Sequence, residues 1–163
     1  MIQQTNGQTM NNTDLIKKFY ESFAKGDEIG MVNCYDSNII FKDPAFGELK
    51  GEDAKNMWRM LIDRGKGKIK ITFYDVQAND TTGSANWVAE YEYGDRNRKV
   101  VNKITANFEF KDGKIVKHTD HFNLWKWSRQ AIGWKGYLLG WTPFFKTKLH
   151  QTTNNILKKY TTK

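Results

Sequence analysis

The sequence predicts an α+β domain in which helices cover one face of an antiparallel sheet, followed by a C-terminal helical extension. Apolar residues recur at helical spacing through the first 62 residues, and a period of two takes over from Ile69. The last 43 residues break from both patterns, being rich in Trp and Lys and free of acid.

Taken in order, Thr13 or Asn12 can cap a first helix running to about Lys25. It carries Leu15, Ile16, Phe19, Tyr20 and Phe23 on one side and ends at Gly26. Asp27 opens a shorter second helix with Ile29, Met31, Val32 and Tyr35. Asn38 to Asp43 reads as a strand, closed by Pro44, which has no N–H to give a ladder and pushes its predecessor into an extended conformation. Gly47 and Gly51 bracket a loop, and Glu52 and Asp53 lie in the first turn of a third helix, where carboxylates suit the dipole. Ala54, Met57, Trp58, Leu61 and Ile62 form its apolar side, and it stops in Gly65-Lys66-Gly67.

The strands follow. Ile69, Ile71 and Phe73 alternate in one, Ala85 to Tyr93 in the next, and Ile104, Ala106, Phe108 and Phe110 in a third. Lys111-Asp112-Gly113-Lys114 is a hairpin turn into a last strand from Ile115 to Leu124. The domain organisation is therefore a polar leader over residues 1–12, expected to be disordered, a domain over 13–124, and a basic, Trp-rich extension over 125–163.

At 163 residues the chain can bury one good core, and six Trp, seven Tyr and ten Phe suit a core or cavity walled by rings. The single cysteine, Cys34, excludes an internal disulfide and reads as a small buried filler. The leader has no charged region followed by an apolar one, and no run reaches the length of a membrane span, so the expected compartment is the cytoplasm. The net charge of +8 is confined to the extension: residues 1–120 carry 18 basic and 18 acidic side chains, whereas 121–163 carry eight basic ones and no acid. A neutral body argues against a surface built to track phosphates, and no nucleic-acid partner is expected.

Asp43 is presented at a strand end and shares a face with Phe41 and Ile39. Such a carboxylate is either a turn residue satisfied by local hydrogen bonds or a functional acid. The ordered set Gly26-Asp27, Phe41-Lys42-Asp43-Pro44 and Gly51, behind three helices and ahead of long strands, resembles the nuclear-transport-factor-2-like superfamily. Within it the chain looks like the SnoaL-like polyketide cyclase and ketosteroid isomerase branch. That resemblance, over about residues 13–124, implies a cone of bent sheet (an α+β barrel) closed by helices around a deep apolar cavity. It also implies a homodimer and a general-base role for Asp43.

The isomerase's two oxyanion donors fall at Phe19 and Ala106, which donate nothing, and Tyr20 lies about 100° around the helix. True ketosteroid isomerase chemistry is therefore not expected. The last strand offers another pair. By the resemblance, Val116, His118, Asp120 and Phe122 face the cavity, and Asp120 corresponds loosely to the late acidic acid/base of the cyclases. Asp43, Asp120 and His118 are the candidate catalytic residues, with Phe19, Tyr20, Phe41, Trp58, Phe108 and Phe122 lining the substrate site. Two carboxylates in one apolar cavity would be driven to different protonation states, with His118 relaying the proton. Against this, His118 and Asp120 could simply satisfy each other, or the register could turn Thr119 and His121 inward.

No metal is expected, because His121 alternates to the opposite face from His118 and Asp120, and no cofactor motif is present. Two function classes stay open. One is a small-molecule cyclase, isomerase or epoxide-hydrolase-like enzyme using acid/base chemistry on an apolar or carbonyl-bearing ligand. The other is a non-catalytic ligand-binding or dimeric interaction module. The extension, with four Trp between residues 125 and 145, must be covered by the cavity mouth, a partner copy or a membrane surface. Docking on the body through most of those aromatics is the expectation.

Overall fold

The computed structural model describes residues 10–65 and 67–162; most of the polar leader, whose expected disorder was drawn from composition, lies outside the described residues. The first helix, α1 (Asn12–Lys25), is capped by Asn11, whose side chain accepts the Asp14 N–H at 2.8 Å. Leu15, Ile16, Phe19, Tyr20 and Phe23 are all buried, and Gly26 ends the helix in the left-handed region at φ 71°. Asp27 caps α2 (Glu28–Val32). This helix is shorter than predicted: Tyr35 opens the first strand, because its backbone finds a partner in Ile115, and long-range pairing overrides the helical spacing seen in the sequence.

That strand, β1 (Tyr35–Asp43), turns through residues 44–46 into β2 (Gly47–Lys50), where the sequence predicted a loop. A four-residue edge strand burying only Leu49 shows no alternation to read. Then come α3 (Glu52–Gly65), β3 (Lys70–Ala78), β4 (Thr82–Tyr93), β5 (Arg98–Lys111) and β6 (Lys114–His121). In α3 the buried positions are Ala54, Met57, Trp58 and Met60, with Leu61 and Ile62 at the margin of the core.

The six strands form one sheet in the order β2-β1-β6-β5-β4-β3, so β2 and β3 are its edges and the sheet stays open. Neighbours are antiparallel except β1 and β6, which run parallel, a pairing that corrects the all-antiparallel expectation. The correction follows from connectivity: β1 and β6 are separated by the whole β2–β5 excursion, so no hairpin constrains their direction. Register shifts in three of the five pairings bend the strands, one of them where Asp75 takes φ 53°. The helices α1 and α3 pack their aromatic faces into the resulting concave side.

The extension folds into α4 (Leu124–Ile132), α5 (Trp134–Leu139) and α6 (Pro143–Thr161). α4 lies on β5, burying Trp127 and Ala131 beside Val100. The Gln130 side chain accepts the Val101 N–H at 2.9 Å and donates to the Val101 carbonyl at 3.3 Å, completing a stretch of β5 that β6 does not reach. α6 buries Leu149 and Leu157 and hydrogen-bonds the β1–β2 turn. His150 Nε2 donates to the Pro44 carbonyl (2.9 Å), Thr153 to Ala45 (3.0 Å) and Asn154 to Phe46 (2.9 Å).

Docking therefore does not use most of the aromatic set as expected: of the four Trp in the extension only Trp127 is buried, and Trp134 and Trp141 are 66% and 70% exposed. Two aliphatic anchors and side-chain bonds to loop carbonyls replace them. Trp127→Ala removes both a buried ring and its Nε1–H bond to the Tyr91 hydroxyl (2.8 Å). The expected loss is about 3–5 kcal/mol, read as a lower midpoint in urea unfolding; an unchanged midpoint would show that α4 does not depend on this anchor.

Candidate functional site

The polar centre of the molecule sits inside its most aromatic region. Period two on β6 turns His118 and Asp120 inward, at 0% and 4% exposure, while Thr119 is half-buried and His121 is exposed on the other face. Trp58 from α3 stacks on the His118 ring (centroids 5.9 Å apart), and Phe108, Phe41 and Phe19 close around it at 4.4, 5.2 and 5.4 Å. These four rings, expected to line a cavity, pack on the imidazole itself. Phe122 is half-buried at the junction with the extension.

Hydrogen bonds order the imidazole. Trp58 Nε1–H donates to the Tyr35 hydroxyl at 2.8 Å, so the single Tyr35 proton is free to go to His118 Nδ1, 2.7 Å away. Nδ1 is then the acceptor, and Nε2–H donates to Asp120 Oδ1 at 2.9 Å. Trp87 Nε1–H reaches the same oxygen at 3.3 Å. His118 and Asp120 thus do bond each other, as the structural alternative held, but within a longer chain. Burial holds the Tyr35 phenol well above its usual range, with the Asp120 charge adding to the effect and the Trp58 bond opposing it.

Tyr20 differs from every other group here. Its ring packs edge-on to Phe19 and stacks on Phe73, yet its hydroxyl is the one buried side-chain polar atom without a hydrogen-bond partner among the described residues. Burial and then the Asp120 charge raise its pKa well above the ordinary value, which places the hydroxyl within the field of that carboxylate. The 100° offset between Phe19 and Tyr20 does not put Tyr20 outside: the buried arc of α1 is wide enough to take both.

Asp43 closes β1 beside this centre. Phe41 pairs with His118 and Lys42 with Thr119, so the parallel register carries Asp43 toward Asp120. Its Oδ1 accepts the Phe46 N–H at 2.6 Å and the Ala45 N–H at 3.0 Å. Burial raises its pKa from 3.8 to about 7; the Phe46 bond opposes this and the Asp120 charge adds to it. Asp43 is therefore both a turn residue and a carboxyl poised between protonation states near neutrality.

The sequence reading missed Tyr35 and Trp87. Tyr35 was hidden by its helical spacing to Met31 and Val32. Trp87 was visible as an inward member of the Ala85–Tyr93 alternation, but nothing in the pattern showed what its N–H would meet. Among the described residues no three His, Cys, Asp or Glu side chains gather as metal donors. A concavity of about 650 Å³ opens on the opposite face of the sheet, lined by Ser84, Asn107, Glu109, Lys117, Thr119 and His121.

A bent, open sheet with helices on its concave side and a strand-borne acidic and imidazole centre within defines an NTF2-like cone. The SnoaL-like domain family matches residues 16–118, more than half of the chain, and the chain belongs to that family. Solved structures agree in fold. A "putative polyketide cyclase" from Xanthomonas campestris pv. campestris is 23% identical, with a TM-score of 0.59 over 72% of this chain and 94% of that one. One of the same description from Pseudomonas putida KT2440 is 19% identical, with a TM-score of 0.60 over 75% and 98%. Bal32a, from a soil-derived mobile gene cassette, is 21% identical and reaches 0.64 over 73% and 95%. No curated protein sequence matches significantly. The matched region ends before the extension, so α4, α5 and α6 lie outside it.

Asp43 generates a pH test. The folded protein keeps a proton on this carboxyl that the unfolded chain releases from 3.8 upward, so its contribution to stability is full below about pH 4 and is lost as pH rises through about 7. Asp43→Asn keeps an oxygen for the Ala45 and Phe46 N–H groups and removes the ionisation. Melting curves from pH 4 to 7 should fall less steeply in the variant than in the parent; parallel slopes would show that Asp43 ionises normally.

Proposed function

We propose that the protein is a small-molecule enzyme that moves protons on an apolar, carbonyl-bearing substrate, as in an isomerisation or an intramolecular cyclisation. The observation that carries this is the buried Tyr20 hydroxyl left without a hydrogen-bond partner, with the Asp120 charge acting on it. Leaving a buried hydroxyl unpaired costs about 1–3 kcal/mol, a cost without return unless the group is completed by something that binds.

In this scheme Tyr20 donates its O–H to the substrate carbonyl oxygen, supplying the donor that Phe19 and Ala106 lack. Asp120, fixed by His118 and Trp87, takes a proton from the carbon next to that carbonyl, and charge develops on the oxygen facing Tyr20. Asp43, near the midpoint of its titration at neutral pH, gives a proton to the product carbon, and the proton taken up by Asp120 then passes to Asp43 through solvent, restoring both carboxyls. His118 and Tyr35 orient Asp120 and do not touch substrate. Substrate enters by parting the rings around His118 from the Asp43 end, beside the turn that α6 holds. The "putative polyketide cyclase" description of two fold relatives, and the crystallisation of another, TerC, with polyporic acid, favour a planar oxygenated ligand.

A non-catalytic binding module is favoured by one specific feature: Asp43 Oδ1 is already occupied by two turn N–H groups. A homodimer through the outer sheet face and a cytoplasmic setting are compatible with either function; no helix among the described residues is long and apolar enough to cross a membrane.

The two classes separate on one substitution. Deuterium exchange at the α-carbon of planar diketones, followed by proton NMR, should be accelerated by the parent and slowed about 100-fold or more by Tyr20→Phe. The same variant should melt no lower than the parent, since it removes an unsatisfied polar atom. Binding of such diketones without exchange would assign the module instead; a Tyr20→Phe variant with full exchange would remove Tyr20 from the mechanism.

A further inference from the structure

The short helix α5 is built inside out. Its inner line is glycine: a Cβ on Gly136 would lie 2.0 Å from the Ser128 carbonyl oxygen, and one on Gly140 would lie 1.8 Å from Ser128 Oγ. Ser128 is fully buried beneath them, its hydroxyl within hydrogen-bond distance of the Trp125 and Gly136 carbonyls (2.9 and 3.1 Å). The backbone of α5 is thus pressed against α4 with no space for side chains. Its large residues face outward: Trp134, Tyr137, Leu138 and Trp141 follow i, i+3, i+4, i+7 spacing at 66%, 55%, 54% and 70% exposure, and Phe144 at the start of α6 adds 71%.

The extension that carries this patch is basic and free of acid. Lys126, Arg129, Lys135, Lys146 and Lys148 are all exposed, and none is in an ion pair with another described residue. Arg129 lies over the Trp125 and Tyr137 rings at 4.9 and 5.4 Å, and Lys135 over Trp134 at 5.9 Å, so cationic groups sit at the edges of the aromatic surface. No acid occurs anywhere in residues 121–163.

We propose that this patch is an interfacial docking surface for anionic lipid, with the rings at headgroup level and Arg129, Lys135 and the extension's other exposed cations against phosphates. Charge selects this occupant over a second copy. A two-fold contact through the patch would face two acid-free basic surfaces, and the rest of the chain, with 18 basic and 18 acidic residues, offers no net negative partner. Trp and Tyr rings flanked by Lys and Arg are the composition that bilayer interfaces favour. No residue of this patch takes part in the catalytic scheme.

The test uses the full chain with vesicles of phosphatidylcholine alone or with about 30 mol% phosphatidylglycerol, read by co-sedimentation. The parent should partition to the anionic vesicles at least about tenfold more strongly than to the neutral ones and be released by high salt. The variant Trp134→Ala/Trp141→Ala/Phe144→Ala, changed only at exposed positions, should keep its melting temperature and lose that partition about tenfold or more. Absence of binding to anionic vesicles would overturn the proposal, as would equal binding by the triple variant. A parent that is dimeric, ignores vesicles and becomes monomeric in the triple variant would assign the patch to self-association instead.

Discussion

An imidazole buried among five aromatic rings forces the chain to find a partner for each of its nitrogens, and much of the interior is arranged around that requirement. Tyr35 serves one nitrogen and Asp120 the other, and Trp58 and Trp87 satisfy those partners in turn. The chain of bonds runs from α3 through β1 and β6 to β4, so the polar line that completes His118 also fastens a helix to the concave face of the sheet. Tyr20 stands beside this line and is left out of it. The network thus satisfies its other members and leaves one buried donor open at Tyr20.

The extension acts on the same centre through the backbone. The N–H groups of Ala45 and Phe46 hold the Asp43 carboxyl, while α6 holds the carbonyls of Pro44, Ala45 and Phe46. Both edges of one three-residue turn are thus fixed, one by the residue whose charge matters and the other by a helix more than 100 residues away. With α4 and α6 committed inward, α5 is left to carry the outward aromatic face, and its glycines are what permit so close a seat on α4.

Much of this was legible in the sequence because it depends on periodicity. The α1 and α3 faces, the β4 and β5 alternations and the 111–114 turn follow from spacing and turn residues, whereas spacing puts His118 and Asp120 on one face of β6 and only the family resemblance turned that face inward. What was not legible depends on partners distant in the chain. Tyr35 reads as helical until Ile115 is placed beside it, β2 is too short to alternate, and the parallel β1–β6 pair leaves no local signature. The extension was legible as an apolar, acid-free segment, but not the division of its rings: Trp127 inward and Trp134 and Trp141 outward follow from where Gly136 and Gly140 meet Ser128, a contact between helices that composition does not encode.

The account rests on the direction of the bonds through His118. Nitrogen-15 NMR of the imidazole in the intact protein at neutral pH tests it most directly. The expected spectrum has the proton on Nε2, bonded to Asp120, and an acceptor Nδ1 facing the Tyr35 hydroxyl. A proton on Nδ1 with Nε2 bare would reverse the chain of donors, detach Asp120 from His118 and contradict the account.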